Sequence, residues 1–344
     1  MASPGDIVAK GACGAAGTKR SAMPEVYVES EFAPLRTVVL AQSEVSIPAS
    51  TMSSDDMRFL SAESRKEIAG GGDMKDFAPE RQARWAGERE AFRAVLERHG
   101  VQVHRPRLLT PEEKAAAGDG YANFFARDPF FTVGNQVVEA SMRFLHRRRE
   151  VLPLREVMRD HVYPSDCTYV AVPMPEVAAP DDPTLGPGPF LEGGDVLVLG
   201  KKVFVGTSGL ASNPLGIQWL ANFLAPYGYT VEQVRLHERI LHLDCALGFI
   251  KEGLLVASEE ALLEGVPESL KEWEKITVDL DQATSLAING LPLGPDVYVT
   301  DPEFSFLGQE IERFGVHVEY VDFSITRSLG GSFRCSTQPL LRKF

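Results

Sequence analysis

From about Val26 onward, short apolar runs, tight polar turns and longer amphipathic stretches return in a fixed order. The order is clearest after Asp195. Residues 196–199 run through Gly200-Lys201-Lys202 into 203–206, which predicts a hairpin with a glycine-containing turn. Residues 213–225 then place Leu215, Trp219, Leu220 and Phe223 on one helical face. Pro226-Tyr227-Gly228 stops that helix, and 229–236 predicts an extended strand. The next copy has strands at 246–250 and 254–258 about the Lys251-Glu252-Gly253 turn, a helix over 261–273 and a strand at 276–278. Another has strands at 285–288 and 297–300, a helix over 306–314 and a strand at 316–321.

Two earlier copies share the pattern. One uses 130–133, 137–139, a helix over 152–161 and 168–172; the first uses 36–41, a helix over 81–99 and 101–104. About five units of roughly 45 to 65 residues predict radial or stacked repeats of a ββαβ element, against an ordinary α/β sheet with accidental similarity. Residues 48–77, rich in Ser, Asp and Gly with Gly70-Gly71-Gly72 inside, interrupt the first unit and read as an insertion, a lid or a passive surface loop.

Charge narrows the choice of partner. A net charge of −13 repels phosphate backbones and anionic lipid, so neither nucleic acid nor a membrane is an expected partner. No apolar run reaches the length of a membrane span. Arg147-Arg148-Arg149 is the one basic cluster; with Glu150, Glu156 and Asp160 close behind, it reads as a solvated helix start. Cys13, Cys167, Cys245 and Cys335 are widely spread and form no CxxC pair, which favours free thiols and a reducing, cytoplasmic setting. Residues 1–24 read as a disordered leader, with organelle targeting as the weaker alternative, and 25–344 as a single catalytic domain.

Three segments stand at matching places, each at the start of a unit: Ala126-Arg127-Asp128-Pro129, Glu192-Gly193-Gly194-Asp195 and His242-Leu243-Asp244. Cys335 follows the last unit in Gly330-Gly331-Ser332-Phe333-Arg334-Cys335. Each has a plain alternative: Asp128 as a turn former, 192–195 as a loop, His242 as a satisfied core histidine, Cys335 as a buried thiol. A metal on His242, Asp244 and Glu192 lacks any HExxH-like spacing, and neither metal nor cofactor is expected. If the units surround an axis, however, the segments meet in one polar pocket. A thiol with a histidine makes a nucleophile and acid/base pair. The surrounding carboxylates call for a cationic substrate, and a guanidinium, planar and rich in donors, suits them.

ARDPF around Asp128, EGGD from Glu192, HLD from His242 and GGSFRC ending at Cys335 together resemble the guanidino-group-modifying enzymes, from about Val26 to Lys343. That superfamily includes amidinotransferases, arginine deiminases and dimethylarginine dimethylaminohydrolases. The resemblance implies the five-bladed pseudo-symmetric α/β propeller called the pentein fold. It implies Cys335 as nucleophile, His242 as proton donor and acceptor, and Glu192 and Asp128 as grips on the guanidinium. Asp244 would be a further contact, Arg127 and Arg334 substrate contacts, and Asp195, Gly330 and Gly331 supporting residues. Gly330 to Phe333, with 213–220, is similar to amidinotransferases. Transfer of the amidino group of arginine, or of a related guanidino compound, to an amine is therefore the leading expectation. Hydrolysis to citrulline is the alternative, and a non-catalytic pentein that binds another particle is the remaining class. Family members are often dimers, so a homodimer is an expectation by analogy.

Overall fold

The computed structural model describes residues 25–48, 57–68, 72–176, 178–179, 182 and 184–344. Apolar runs too short for helices pair here as buried hairpins. Phe130–Val133 lies antiparallel to Gln136–Glu139, which lies parallel to Thr168–Ala171. The same order recurs in Val196–Leu199, Lys202–Thr207 and Thr230–Arg235, then in Leu247–Lys251, Leu254–Ala257 and Glu274–Thr277. It recurs once more in Leu291–Gly294, Val297–Thr300 and His317–Tyr320.

A parallel step needs a crossover, and helices supply most of them. Pro214–Leu224 starts at Asn213, whose side chain accepts from Gly216 N, and turns Ile217, Leu220 and Leu224 inward. Ser305–Arg313 buries Leu307 and Ile311. Helical turns from Leu152–Leu154 through Met158–Val162 serve the earlier unit. Two expectations need correction. The helix over 261–273 is reduced to the single turn Glu268–Leu270, because Gly265 adopts φ +74° and Pro267 cannot continue a helix. The strand placed at 285–288 lies instead at Leu291–Gly294; Asp279 and Gln282 form a capping box that makes Leu280–Thr284 helical.

The first unit is completed from the far end of the chain. Leu35–Leu40 lies parallel to Gln102–His104 across the helix Pro79–Arg98. Its antiparallel partner is the C-terminal strand Thr337–Arg342, to which Tyr27–Val28 adds. The architecture is thus mixed α/β, with five small sheets of related topology and a two-stranded ribbon of Glu44–Ser46 and Tyr121–Asn123. Fully buried Phe204, Phe249 and Leu255 share one core cluster across neighbouring sheets. Each such side chain contributes roughly 1.5–3 kcal/mol of transfer free energy.

Of the insertion at 48–77, the described part includes the helices Ala62–Ile68 and Met74–Phe77, with Met57, Leu60 and Met74 buried. The leader expected at 1–24 lies outside the described residues.

Candidate active site

Asp128, Asp195, Asp244, Asn289 and Cys335 each stand one to three residues before the first strand of their sheet. Hydrogen bonds join these positions in sequence order. Asp128 Oδ1 accepts from Gly194 N at 2.9 Å, and Asp195 Oδ1 from Leu243 N at 3.0 Å. Asn289 Nδ2 donates to Asp244 O at 3.3 Å, and Asn289 Oδ1 accepts from Cys335 N at 3.2 Å. Arg127 N then donates to Cys335 O at 3.1 Å, which returns the circuit to its start. Residues remote in sequence are brought together by backbone groups that burial obliges to find partners.

Close approach sets the local residue choice. A Cβ on Gly194 would come within 2.6 Å of both Asp128 Oδ1 and His242 Nδ1. Gly330 holds φ +91°, and a Cβ on Gly331 would press Phe125 at 2.4 Å. Asn289 Oδ1 also accepts from Ser332 N at 3.1 Å, so one amide fixes both ends of the Cys335 turn.

Two buried charge networks flank the thiol. In the first, His242 Nε2 lies 2.9 Å from Glu192 Oε2 and Nδ1 lies 3.7 Å from Asp128 Oδ1. Arg147 donates to Asp128 at 2.7 Å and to Glu150 at 2.7 and 2.9 Å, and lies 3.5 Å from Glu192. Asp195, also fully buried, adds a fourth acid. Burial opposes charge on His242, but Asp128, Glu192 and Asp195 outweigh it and hold the imidazolium well above its usual range. Burial likewise opposes charge on Asp128, where His242 and Arg147 prevail and lower its pKa. Two cations cannot serve four buried acids. Asp195 is accordingly pushed up to about 7 and Glu150 to about 8, in both cases chiefly by burial.

The second network holds the other side. Arg334 donates to Glu31 at 3.0 and 3.1 Å, to Asp244 at 2.8 Å and to Val196 O at 2.7 Å. Burial opposes ionisation of Glu31, yet Arg334 and Arg127 lower its pKa to about 2. The Cys335 thiol donates to Asp244 Oδ2 at 3.6 Å. Cys245 lies against the same pair: its hydrogen bond with Cys335 and its burial push its thiol pKa well up. Arg127 Nε donates to Arg334 O at 3.3 Å.

Cys335, His242, Arg147 and Asp128 line one end of a cavity whose enclosed space is about 30 Å³, and about 520 Å³ with its open mouth. Apart from His146, its remaining wall is apolar and includes Val45, Ile47, Phe59, Leu60, Leu241 and Leu329. Glu192, Asp195 and Asp244 stand behind the polar end rather than in its wall, as do Arg127 and Arg334, both buried in the networks above. Among the described residues, no cluster of three or more His, Cys, Asp or Glu is arranged to hold a metal.

The sequence profile described as arginine deiminase matches residues 119–287. Inosamine-phosphate amidinotransferase 1 of Streptomyces griseus is 25% identical over 350 residues, covering 93% of this chain and 98% of its own. The solved structure of that enzyme superposes with a TM-score of 0.77 at 23% identity, again over 93% and 98% of the two chains. The profile and these relatives support the guanidino-group-modifying superfamily. The mitochondrial glycine amidinotransferase of Xenopus tropicalis is 23% identical over 286 residues, which is 72% of this chain and 67% of that one. The dimethylarginine dimethylaminohydrolase of Pseudomonas aeruginosa shares the fold at a TM-score of 0.61 and 18% identity, over 89% of this chain and 99% of its own.

Several residues of the site are not read from the sequence. Arg147 is buried, not the solvated helix start expected of its cluster; only Arg149 of the three is exposed. Glu150, Asn289 and the neighbouring Cys245 were equally missed. Asn289 precedes its strand by two residues, as Asp128 and Cys335 precede theirs, but placing that strand at 285–288 hid the match.

Proposed function

We propose that the protein breaks a C–N bond of a guanidino compound through Cys335 and passes the amidino group to an amine. The observation that carries this reading is the shared cavity end: the Cys335 thiol, an imidazolium at His242 and the carboxylate of Asp128 face one space.

A planar guanidinium placed there exchanges its hydration for the carboxylates and lies against sulfur, so positioning and electrostatics do most of the work. Cys335 Sγ bonds to the guanidinium carbon as its proton passes to Asp244, the acceptor it already addresses at 3.6 Å. His242 donates a proton to the departing amine nitrogen as that C–N bond breaks, leaving an S-alkylthiouronium on Cys335 and a neutral imidazole. In the second half, the acceptor amine gives a proton to His242 and attacks the same carbon; sulfur departs and recovers its proton from Asp244. If a terminal nitrogen of the guanidinium departs instead, as ammonia protonated by His242, the thiouronium keeps the substrate chain and water attacking its carbon gives the ureido product. The arginine deiminase profile and the hydrolase neighbour support that second reading.

The five sheets are read as blades of one propeller, residues 25–344 forming a single catalytic unit. The hydrogen-bonded circuit of strand starts and the closure of the first sheet by Thr337–Arg342 support this.

Acid-quenched mass spectrometry after mixing with a guanidino donor tests the reading. The expected result is an amidino adduct on Cys335, with release of the donor's amine. Dependence of turnover on an added amine marks transfer, and a ureido product without it marks hydrolysis. Absence of any adduct and of any amine release removes the proposal.

A further inference from the structure

We infer that the guanidino substrate ends in an uncharged, apolar group rather than in the carboxylate of an amino acid. The inference rests on the reading above and names the substrate class of that same site.

All the charge in the cavity is gathered at the Cys335 end. Beyond it the wall is built from Val45, Ile47, Phe59, Leu60, Leu241 and Leu329. Among the described residues, three basic side chains line the cavity: Arg147, His242 and His146. Arg147 is committed to Asp128 and Glu150 and approaches Glu192, while His242 is committed to Glu192 and Asp128. His146 is held neutral by burial and by Arg147, with its pKa down to about 3. Arg127, next to Asp128 in sequence, and Arg334, next to Cys335, lie in the closed network behind Cys335 and outside the wall. Arg58, between the lining residues Met57 and Phe59, is itself outside the wall and donates through Nε to Glu238 O at 3.1 Å.

A carboxylate carried into this wall gives up its hydration and meets no uncommitted cation among the described lining residues. An alkyl or aralkyl tail meets instead a surface that favours it, by roughly fourfold in kcat/KM for each methylene removed from water. Phe59, half-buried at the wall, is an apolar contact available to such a tail.

Three donors of similar chain length test this with the whole protein: n-butylguanidine, 4-guanidinobutanoate and arginine. Each is assayed for amine release with and without an added acceptor, and chloroacetamidine labelling of Cys335 serves as the tail-free control. The expected result is a kcat/KM for n-butylguanidine at least about 100-fold above both carboxylates. Phe59→Ala is expected to lower the n-butylguanidine value about tenfold and leave chloroacetamidine labelling unchanged. Labelling of Cys335 together with equal or better use of a carboxylate donor, or no use of n-butylguanidine, overturns the inference and leaves the reading standing. No labelling and no turnover of any donor overturns both.

Discussion

The two charge networks beside Cys335 use the same residue types for different ends. The network of His242, Glu192, Asp128, Arg147 and Glu150 opens on the cavity through three of its members. The network of Arg334, Glu31, Asp244 and Arg127 is closed and touches the cavity only through the Cys335 thiol. Protonation also differs. The closed side gives Arg334 two carboxylates, which lie 3.0 and 2.8 Å away, and its charges compensate in place. The open side has acids in excess of cations, and burial raises the pKa of Asp195 to about 7 and of Glu150 to about 8. Buried charge is costly in either setting. A surplus of buried acid next to a cavity raises the proton affinity of the histidine that shares it, whereas a balanced cluster fixes backbone.

The largest effect expected is that of Cys335→Ser: amidino transfer or hydrolysis falls by at least about 10⁴-fold, while the thermal midpoint hardly moves. A residual rate near wild type breaks the comparison at its centre, since the cavity then works without its thiol. Arg334→Met should separate the networks in the opposite sense. It leaves Glu31 and Asp244 buried without their guanidinium and costs about 3–5 kcal/mol of stability by chemical denaturation. An unchanged midpoint would mean that the closed network does not hold the fold.

Asn289→Ala is smaller and sharpens the boundary between them. The backbone N–H groups of Ser332 and Cys335 lose their shared acceptor, and kcat is expected to fall about 10- to 100-fold with KM nearly constant. Glu150→Gln is the smallest. The folded pKa of Glu150, about 8, lies above its ordinary value, so its proton favours the folded state and stability declines as pH rises through 8. Thermal midpoints from pH 6 to 9 should fall less steeply in Glu150→Gln than in the parent chain. Equal slopes would place the retained proton elsewhere in the network.

Much of the frame was legible in the chain. Short apolar runs with glycine turns located the hairpins at 196–206 and 246–258, because alternating burial and turn geometry are local properties. The helix at 261–273 failed where a left-handed Gly265 and Pro267 overrode an apolar pattern. The polar segments at 126–129, 192–195 and 242–244 were found from their common place at the start of each unit. Arg147 was not, since a run of arginines beside acids carries the same pattern whether it faces water or a buried carboxylate. The apolar wall was also invisible: Val45, Phe59, Leu241 and Leu329 come from four distant segments, and only packing makes them one surface.

The sequence by itself determined the repeated hairpin-and-crossover unit and the residue types able to act on a guanidinium. Turn preference, periodicity and side-chain chemistry all operate within a few residues. Tertiary structure alone decided that the C-terminal strand completes the first sheet, that Asn289 anchors the thiol turn, and that two arginines spend their charge inside the protein. Those outcomes depend on which distant groups burial forces together, and no local pattern records that pairing.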